Sequence, residues 1–165
     1  MAKKGNILKR ILIVLFLIII LLAGFLYNRY QIAPDISFSE VVVQDLNQNS
    51  ISLDNYIGKP LVINYWGTWC PPCVKELPCF EKVKQIHDTD VQFVMISDES
   101  IEKITSFSNK NSYSFEFIRS LKKLSDYGVY SIPTTYFYNA EGNLVSSHTG
   151  ELNIETLTSF IKKIQ

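Results

Sequence analysis

Residues 11–26 carry no charge and are almost wholly apolar, a run extended by Tyr27 and preceded by Lys3, Lys4, Lys9 and Arg10. The run sits at the short edge of what a helix needs to span a bilayer, about 17 to 25 residues, and its basic end predicts an amino terminus on the cytoplasmic side. A cleaved export signal is the rival reading. The run is long for a signal, and Leu22-Ala23-Gly24 is followed by Phe25 where a lipoprotein signal needs cysteine. An uncleaved anchor is therefore preferred, and both readings export the rest of the chain. The resulting division is a basic leader over 1–10, an anchor over 11–27, a tether over 28–34 and a domain over 35–165.

Beyond the tether the pattern shortens. Residues 38–43 and 51–53 read as a strand pair around the turn formers Asn47-Gln48-Asn49. Residues 61–66 form a nearly continuous apolar run, the signature of a strand buried on both faces, and it stops at Gly67 and Thr68. Helical spacing then sets in through Val74, Leu77 and Phe80. Pro71 and Pro72, with fixed φ and no N–H, suit its first turn, while Pro78 predicts a kink. A strand over 91–97, a helix over 99–109, a strand over 115–119 and a short helical piece over 121–127 ended by Gly128 follow. A hairpin of 134–138 with 144–148 and an amphipathic helix over 154–165 close the chain. Strands alternating with helices predict a layered α/β sandwich.

Composition refines this picture. At 165 residues and 47% hydrophobic, the chain suits one domain with a proper core plus the apolar leader. Five of the sixteen basic residues and none of the sixteen acidic ones fall in the first thirty positions, which leaves the domain at minus five. It has no basic stripe of the kind a phosphate backbone needs, which argues against nucleic-acid binding.

The candidate chemistry lies in Trp69-Cys70-Pro71-Pro72-Cys73, directly after the buried strand. Two thiols at i and i+3 share a helix face, with Cβ atoms about 5 to 6 Å apart, so a small adjustment closes a disulfide. The bland alternatives are a static disulfide or half of a zinc site. Zinc needs two more ligands, and Cys79, His87 and His148 offer no recognised ligand spacing. Cys79 lines up with Val83 and Ile86 and lies about 9 Å along the axis from Cys73, so it reads as a buried small hydrophobe rather than a third redox thiol. Trp66 reads as core, and the two histidines as surface or edge residues.

Three blocks in order, residues 64–73 (NYWGTWCPPC), Glu76-Leu77-Pro78, and Gly128-Val129 through Ile132-Pro133-Thr134-Thr135, resemble the thiol-disulfide oxidoreductases of the thioredoxin fold, within them the membrane-anchored TlpA-like and ResA-like branch. The resemblance covers the chain from about Pro34 onward. It implies a central mixed sheet flanked by helices, with an N-terminal strand pair and a strand-helix insert, preceded by one transmembrane helix. It implies Cys70 as an exposed nucleophile at a helix start and Cys73 as the resolving thiol. Trp69 is assigned to the substrate groove. Pro133 matches the family's cis-proline, and the backbone of Ile132 would pair with the bound substrate chain. Glu76 matches a glutamate that tunes the thiols' proton affinity, although a solvated helix carboxylate is its bland reading. Thioredoxin itself uses a buried aspartate on the preceding strand, where this chain has Asn64, so proton handling falls to Glu76 or to water.

The function implied is dithiol-disulfide exchange on exported cysteine-containing proteins, as a reductant, for example in cytochrome c maturation. No cofactor beyond the redox-active cysteine pair and no metal is implied. The implied setting is the cell membrane, with a single pass, a cytoplasmic amino terminus, an extracytoplasmic catalytic domain and a membrane electron donor for re-reduction. A disulfide-forming oxidant, a peroxidase and a non-catalytic docking module are the competing readings. A peroxidase wants threonine three residues before its reactive cysteine, and residues 64–67 do not supply one.

Overall fold

The computed structural model describes residues 2–31, 36–87 and 90–165. They fall into two compact units, residues 1–32 and 33–165. The first is a single helix, α1 (Ala2–Gln31). Its window Lys9–Leu26 is long and apolar enough to cross a membrane. Asn28 to Gln31, assigned above to a tether, continue this helix. The remainder of that segment, Pro34 included, lies outside the described residues.

The second unit is built on a seven-stranded sheet: β1 (Val43–Gln44), β2 (Ser50–Ile51), β3 (Leu61–Tyr65), β4 (Gln92–Ser97), β5 (Glu116–Ser120), β6 (Thr134–Tyr138) and β7 (Leu144–Thr149). The spatial order is β2-β1-β5-β4-β3-β6-β7. β3, β4 and β5 run parallel, while β6 lies antiparallel to β3 and β7, and β1 antiparallel to β5 and β2. Three further helices complete the unit: α2 (Pro71–Ile86), α3 (Ile101–Asn111) and α4 (Ile154–Ile164). This is the mixed sheet with an N-terminal strand pair and a strand-helix insert that the sequence predicts.

β3 lies inside the sheet, between the parallel β4 and the antiparallel β6, and all five of its residues are buried. Alternation sends Leu61, Ile63 and Tyr65 into one apolar cluster and Val62 and Trp66 into the other, where Leu77, Phe80 and Val83 of α2 and Leu157 and Ile161 of α4 meet them. The Val62 and Trp66 side is therefore the helix-covered face, and Asn64 belongs to it by register.

Three short elements depart from the sequence reading. Phe38–Glu40 forms a turn of 3₁₀ helix rather than the start of a strand. Phe38 and Val41, three apart, are both buried, so local burial follows the 3₁₀ period there and only Val43 and Gln44 pair in the sheet. Leu53, read as a strand end, instead opens a second 3₁₀ turn, Leu53–Tyr56, which Ser52 caps by accepting a hydrogen bond from the Asp54 N–H. The short helical piece near 121–127 contracts to a 3₁₀ turn, Leu124–Tyr127, ended by Gly128 at φ 78°. α2 runs on through Pro78 to Ile86.

Phe80 anchors α2 to the sheet, fully buried with its ring edge-on to Phe93 at 6.4 Å between centroids. Phe80→Ala is expected to lower the unfolding free energy by about 3 to 5 kcal/mol, read from urea denaturation with the disulfide intact.

Candidate active site

The site begins where β3 ends. Trp66 N–H still bonds to the Ile96 carbonyl at 3.0 Å, after which the chain leaves the sheet and turns, closed by Cys70 N–H to the Gly67 carbonyl at 3.2 Å. At Gly67 a Cβ would stand 2.9 Å from Nε1 of the Trp69 indole, so a larger residue there would displace that exposed ring. From the far side Glu99, in the β4–α3 connection, accepts from the Thr68 N–H at 2.6 Å and from the Thr68 hydroxyl at 2.8 Å. Two hydrogen bonds to one carboxylate fix the residues entering the cysteine pair. Sequence reasoning missed Glu99, whose partner lies thirty-one positions upstream with no local pattern to announce it.

Cys70 caps α2, with Pro71 and Pro72 in its first turn. Its Sγ accepts from the Cys73 N–H at 3.3 Å, one of the donors that a helix start leaves without an intrahelical partner. Cys70 and Cys73 are joined as a disulfide, with Cα atoms 5.3 Å apart. Across the site the Ile132–Pro133 bond is cis. The Ile132 carbonyl oxygen lies 3.7 Å from the Cys70 Sγ, and the Pro133 carbonyl accepts from Gly150 N–H at 2.8 Å. The structure thus brings Cys70, Cys73, Ile132 and Pro133 together. Trp69, beside them in sequence, is 67% exposed.

Two expectations are corrected. Cys70 is 3% exposed rather than open, because the bonded pair packs into the apolar cluster with Trp66 and Ile132. Cys79 differs in the opposite sense: it is a free thiol at intermediate burial, not a core residue. The helix stripe that faces the sheet runs through Cys73, Glu76, Leu77, Phe80 and Val83, and Ile86, aligned with Cys79 above, is exposed. Trp66 is core, as expected, and neither His87 nor His148 is buried.

Glu76 falls within that buried stripe and is 0% exposed, so it is not a solvated carboxylate. Its spacing between Cys73, Phe80 and Val83 is the signal of that burial in the sequence. Asn64 donates from Nδ2 to Glu76 Oε1 at 2.8 Å and to the Thr135 hydroxyl at 3.0 Å. The backbone N–H of Leu152, just before α4, donates to Glu76 Oε2 at 2.8 Å. Asn64 and Thr135 are direct partners across β3 and β6. Burial pushes the Glu76 carboxyl up to about 7, with the nearby Glu151 charge adding to it, while the bonds from Leu152 and Asn64 pull the other way. Asn64 Oδ1 has no partner. An orphaned buried acceptor costs about 1 to 3 kcal/mol, and the opposite orientation would set two oxygens against each other, so the carboxylate dictates how the amide points.

Among the described residues no group of three or more His, Cys, Asp or Glu side chains is placed to hold a metal ion. What the arrangement offers is a dithiol switch at a helix start, a cis-proline strand beside it, and one buried carboxylate that changes charge near neutrality.

Those features define a thioredoxin-fold protein of the thiol-disulfide exchange class, and comparison with known proteins agrees. Residues 31–147 match the model of the AhpC/TSA family. The chain is 30% identical over 128 residues to the thiol-disulfide oxidoreductase ResA of Halalkalibacterium halodurans, covering 75% of this chain and 73% of that one. It is 29% identical to ResA of Bacillus thuringiensis over 98% of both chains. Among solved structures, StoA from Bacillus subtilis matches with a TM-score of 0.60 at 25% identity, over 72% of this chain and 93% of that one. The chain belongs to the AhpC/TSA family, and it is a thiol-disulfide oxidoreductase.

The raised Glu76 value carries a stability signature. Between its ordinary 4.5 and about 7 the folded protein binds a proton that the unfolded chain has released, so stability falls as pH rises through that window. The ionised group then costs about 3 kcal/mol above neutrality. Urea denaturation of the oxidised protein should show Glu76→Gln gaining roughly that amount relative to the parent between pH 4 and pH 8. A difference that is flat with pH would contradict the assignment.

Proposed function

We propose that the protein is a membrane-tethered reductant of disulfides in exported proteins, in which Cys70 attacks, Cys73 resolves and Glu76 handles the proton. The observation that carries this reading is the buried Glu76 carboxylate, one turn beyond Cys73 on the same helix face and held at about 7. A base is useful in exchange when its proton affinity sits near the working pH.

In the reduced protein the Cys70 thiolate, favoured by the N–H groups and dipole at the start of α2, attacks one sulfur of a client disulfide. The client's S–S bond breaks, a Cys70–client disulfide forms, and one client thiolate leaves and takes up a proton. Cys73 then gives its proton to the Glu76 carboxylate and attacks the Cys70 sulfur. This expels the second client thiolate, to which the proton is returned, and closes Cys70–Cys73. Two electrons have passed to the client. A membrane electron donor carrying a dithiol reverses the sequence and restores the reduced pair.

Trp69 supplies an exposed apolar surface beside the sulfurs, and in this reading the backbone of Ile132, next to cis-Pro133, pairs with the client chain. The reducing direction and a role in cytochrome c maturation follow from the ResA-like character of the chain. α1 supplies the anchor, and the basic residues at its amino-terminal end direct the domain outward. The chemistry needs no cofactor beyond the cysteine pair.

Three measurements test this reading. Cys70→Ser is expected to reduce insulin disulfides no faster than the uncatalysed background. Cys73→Ser should accumulate a mixed disulfide on Cys70, identifiable by mass spectrometry, and capture through Cys79 would overturn the assignment of roles. The potential of the pair should lie near that of thioredoxin, about −270 mV, and a value near that of DsbA, about −120 mV, would reverse the proposed direction.

A further inference from the structure

We propose that Asn64 is a positioning residue for Glu76: its side-chain amide, oriented by Thr135, aims a donor at the carboxylate and so sets how readily Glu76 takes a proton during disulfide exchange. The inference rests on the reading of Glu76 as the proton-handling group and adds the residue that tunes it.

The geometry is specific. Both protons of Asn64 Nδ2 are engaged, one by Glu76 Oε1 at 2.8 Å and the other by the Thr135 hydroxyl at 3.0 Å. Thr135 stands opposite Asn64 in the β3–β6 register, two residues beyond cis-Pro133, so the sheet itself holds the pair in place. Asn64, Thr135 and Glu76 are all 0% exposed, which leaves these bonds unscreened by solvent.

The groups around Glu76 can be taken element by element. β3 contributes Asn64 directly, and β6 contributes Thr135 through it. The segment before α4 contributes the Leu152 N–H and, at longer range, the charge of Glu151, which is paired with Lys75. On α2 itself Cys73 lies one turn earlier. Two donors thus oppose the effect of burial, and one of them is a backbone group beyond the reach of substitution. Asn64 is the side chain through which the proton affinity of Glu76 can be set.

Replacing Asn64 by leucine, similar in volume but without a donor, should make Glu76 hold its proton about ten- to a hundredfold more tightly, the effect of losing one hydrogen bond to a charged group. The readout is the carbon-13 shift of the Glu76 carboxyl against pH in the full-length protein in detergent micelles, alongside the pH profile of insulin reduction. Both midpoints should move upward in Asn64→Leu. Thr135→Val, which keeps the amide and removes the group that orients it, should move them the same way by less, and it provides the measurement if the leucine variant does not fold. In a Glu76→Gln background Asn64→Leu should leave the activity profile where it was.

Midpoints that stay in place in both Asn64→Leu and Thr135→Val would overturn the role of Asn64 while leaving that of Glu76 intact. So would an Asn64→Leu shift that persists in the glutamine background. If Glu76→Gln by itself leaves the activity profile unchanged, the reading of Glu76 fails, and that of Asn64 fails with it.

Discussion

A carboxylate removed from water must find its hydrogen bonds within the protein, and Glu76 finds them in two separate parts of the fold. One oxygen is held by Asn64 on β3 and the other by the backbone of Leu152 at the approach to α4. The side chain proposed to handle the proton therefore also joins α2 to the sheet and to the segment before the last helix. Leu152 is itself buried, and Asn153, the next residue, caps α4 by accepting from the Thr156 N–H. A change in the charge of Glu76 is felt at both connections, so in the proposed mechanism proton transfer and packing share one group.

The same economy governs the thiols. Cys70, the proposed nucleophile, is also the cap of α2, and in the bonded pair its sulfur accepts from the Cys73 N–H. Its burial among Trp66 and Ile132 shields the bonded pair, while Trp69 next to it is left exposed. Glu99 and the bare Cα of Gly67 hold the turn between strand and helix, so the sulfurs approach a client from a fixed frame rather than from a mobile loop.

Much of this was legible in the sequence because its signals are local. The apolar run of β3, the two prolines opening α2, the Gly128 stop and the cysteine spacing each act within a few residues, and each lies where the pattern puts it. Phe38–Glu40 was misread because the β-branched run Val41-Val42-Val43 behind Phe38 fits a strand, and only tertiary burial separates the 3₁₀ turn from it. Cys79 was misread because its helix has two candidate stripes, and the one through Cys73, Leu77 and Phe80 faces the sheet. Glu99 and Leu152 lay beyond reach, since their partners are distant in the chain. Asn64 was in plain view as the polar interruption of an apolar strand, although its partner on α2 was not.

That interruption is the physical reason why the proposed mechanism puts proton handling on the helix. An acid at position 64 would place a second carboxylate within hydrogen-bonding distance of Glu76 in a site without solvent, where two negative charges cannot coexist and one group is forced to keep its proton. A neutral amide avoids that conflict and supplies a donor instead. Strand and helix form a matched pair: Asn64 can be polar at the centre of the sheet because Glu76 gives it an acceptor, and Glu76 can ionise without water because Asn64 and Leu152 donate to it. The division of labour follows from the low dielectric at the foot of α2, which tolerates one charge there and no more.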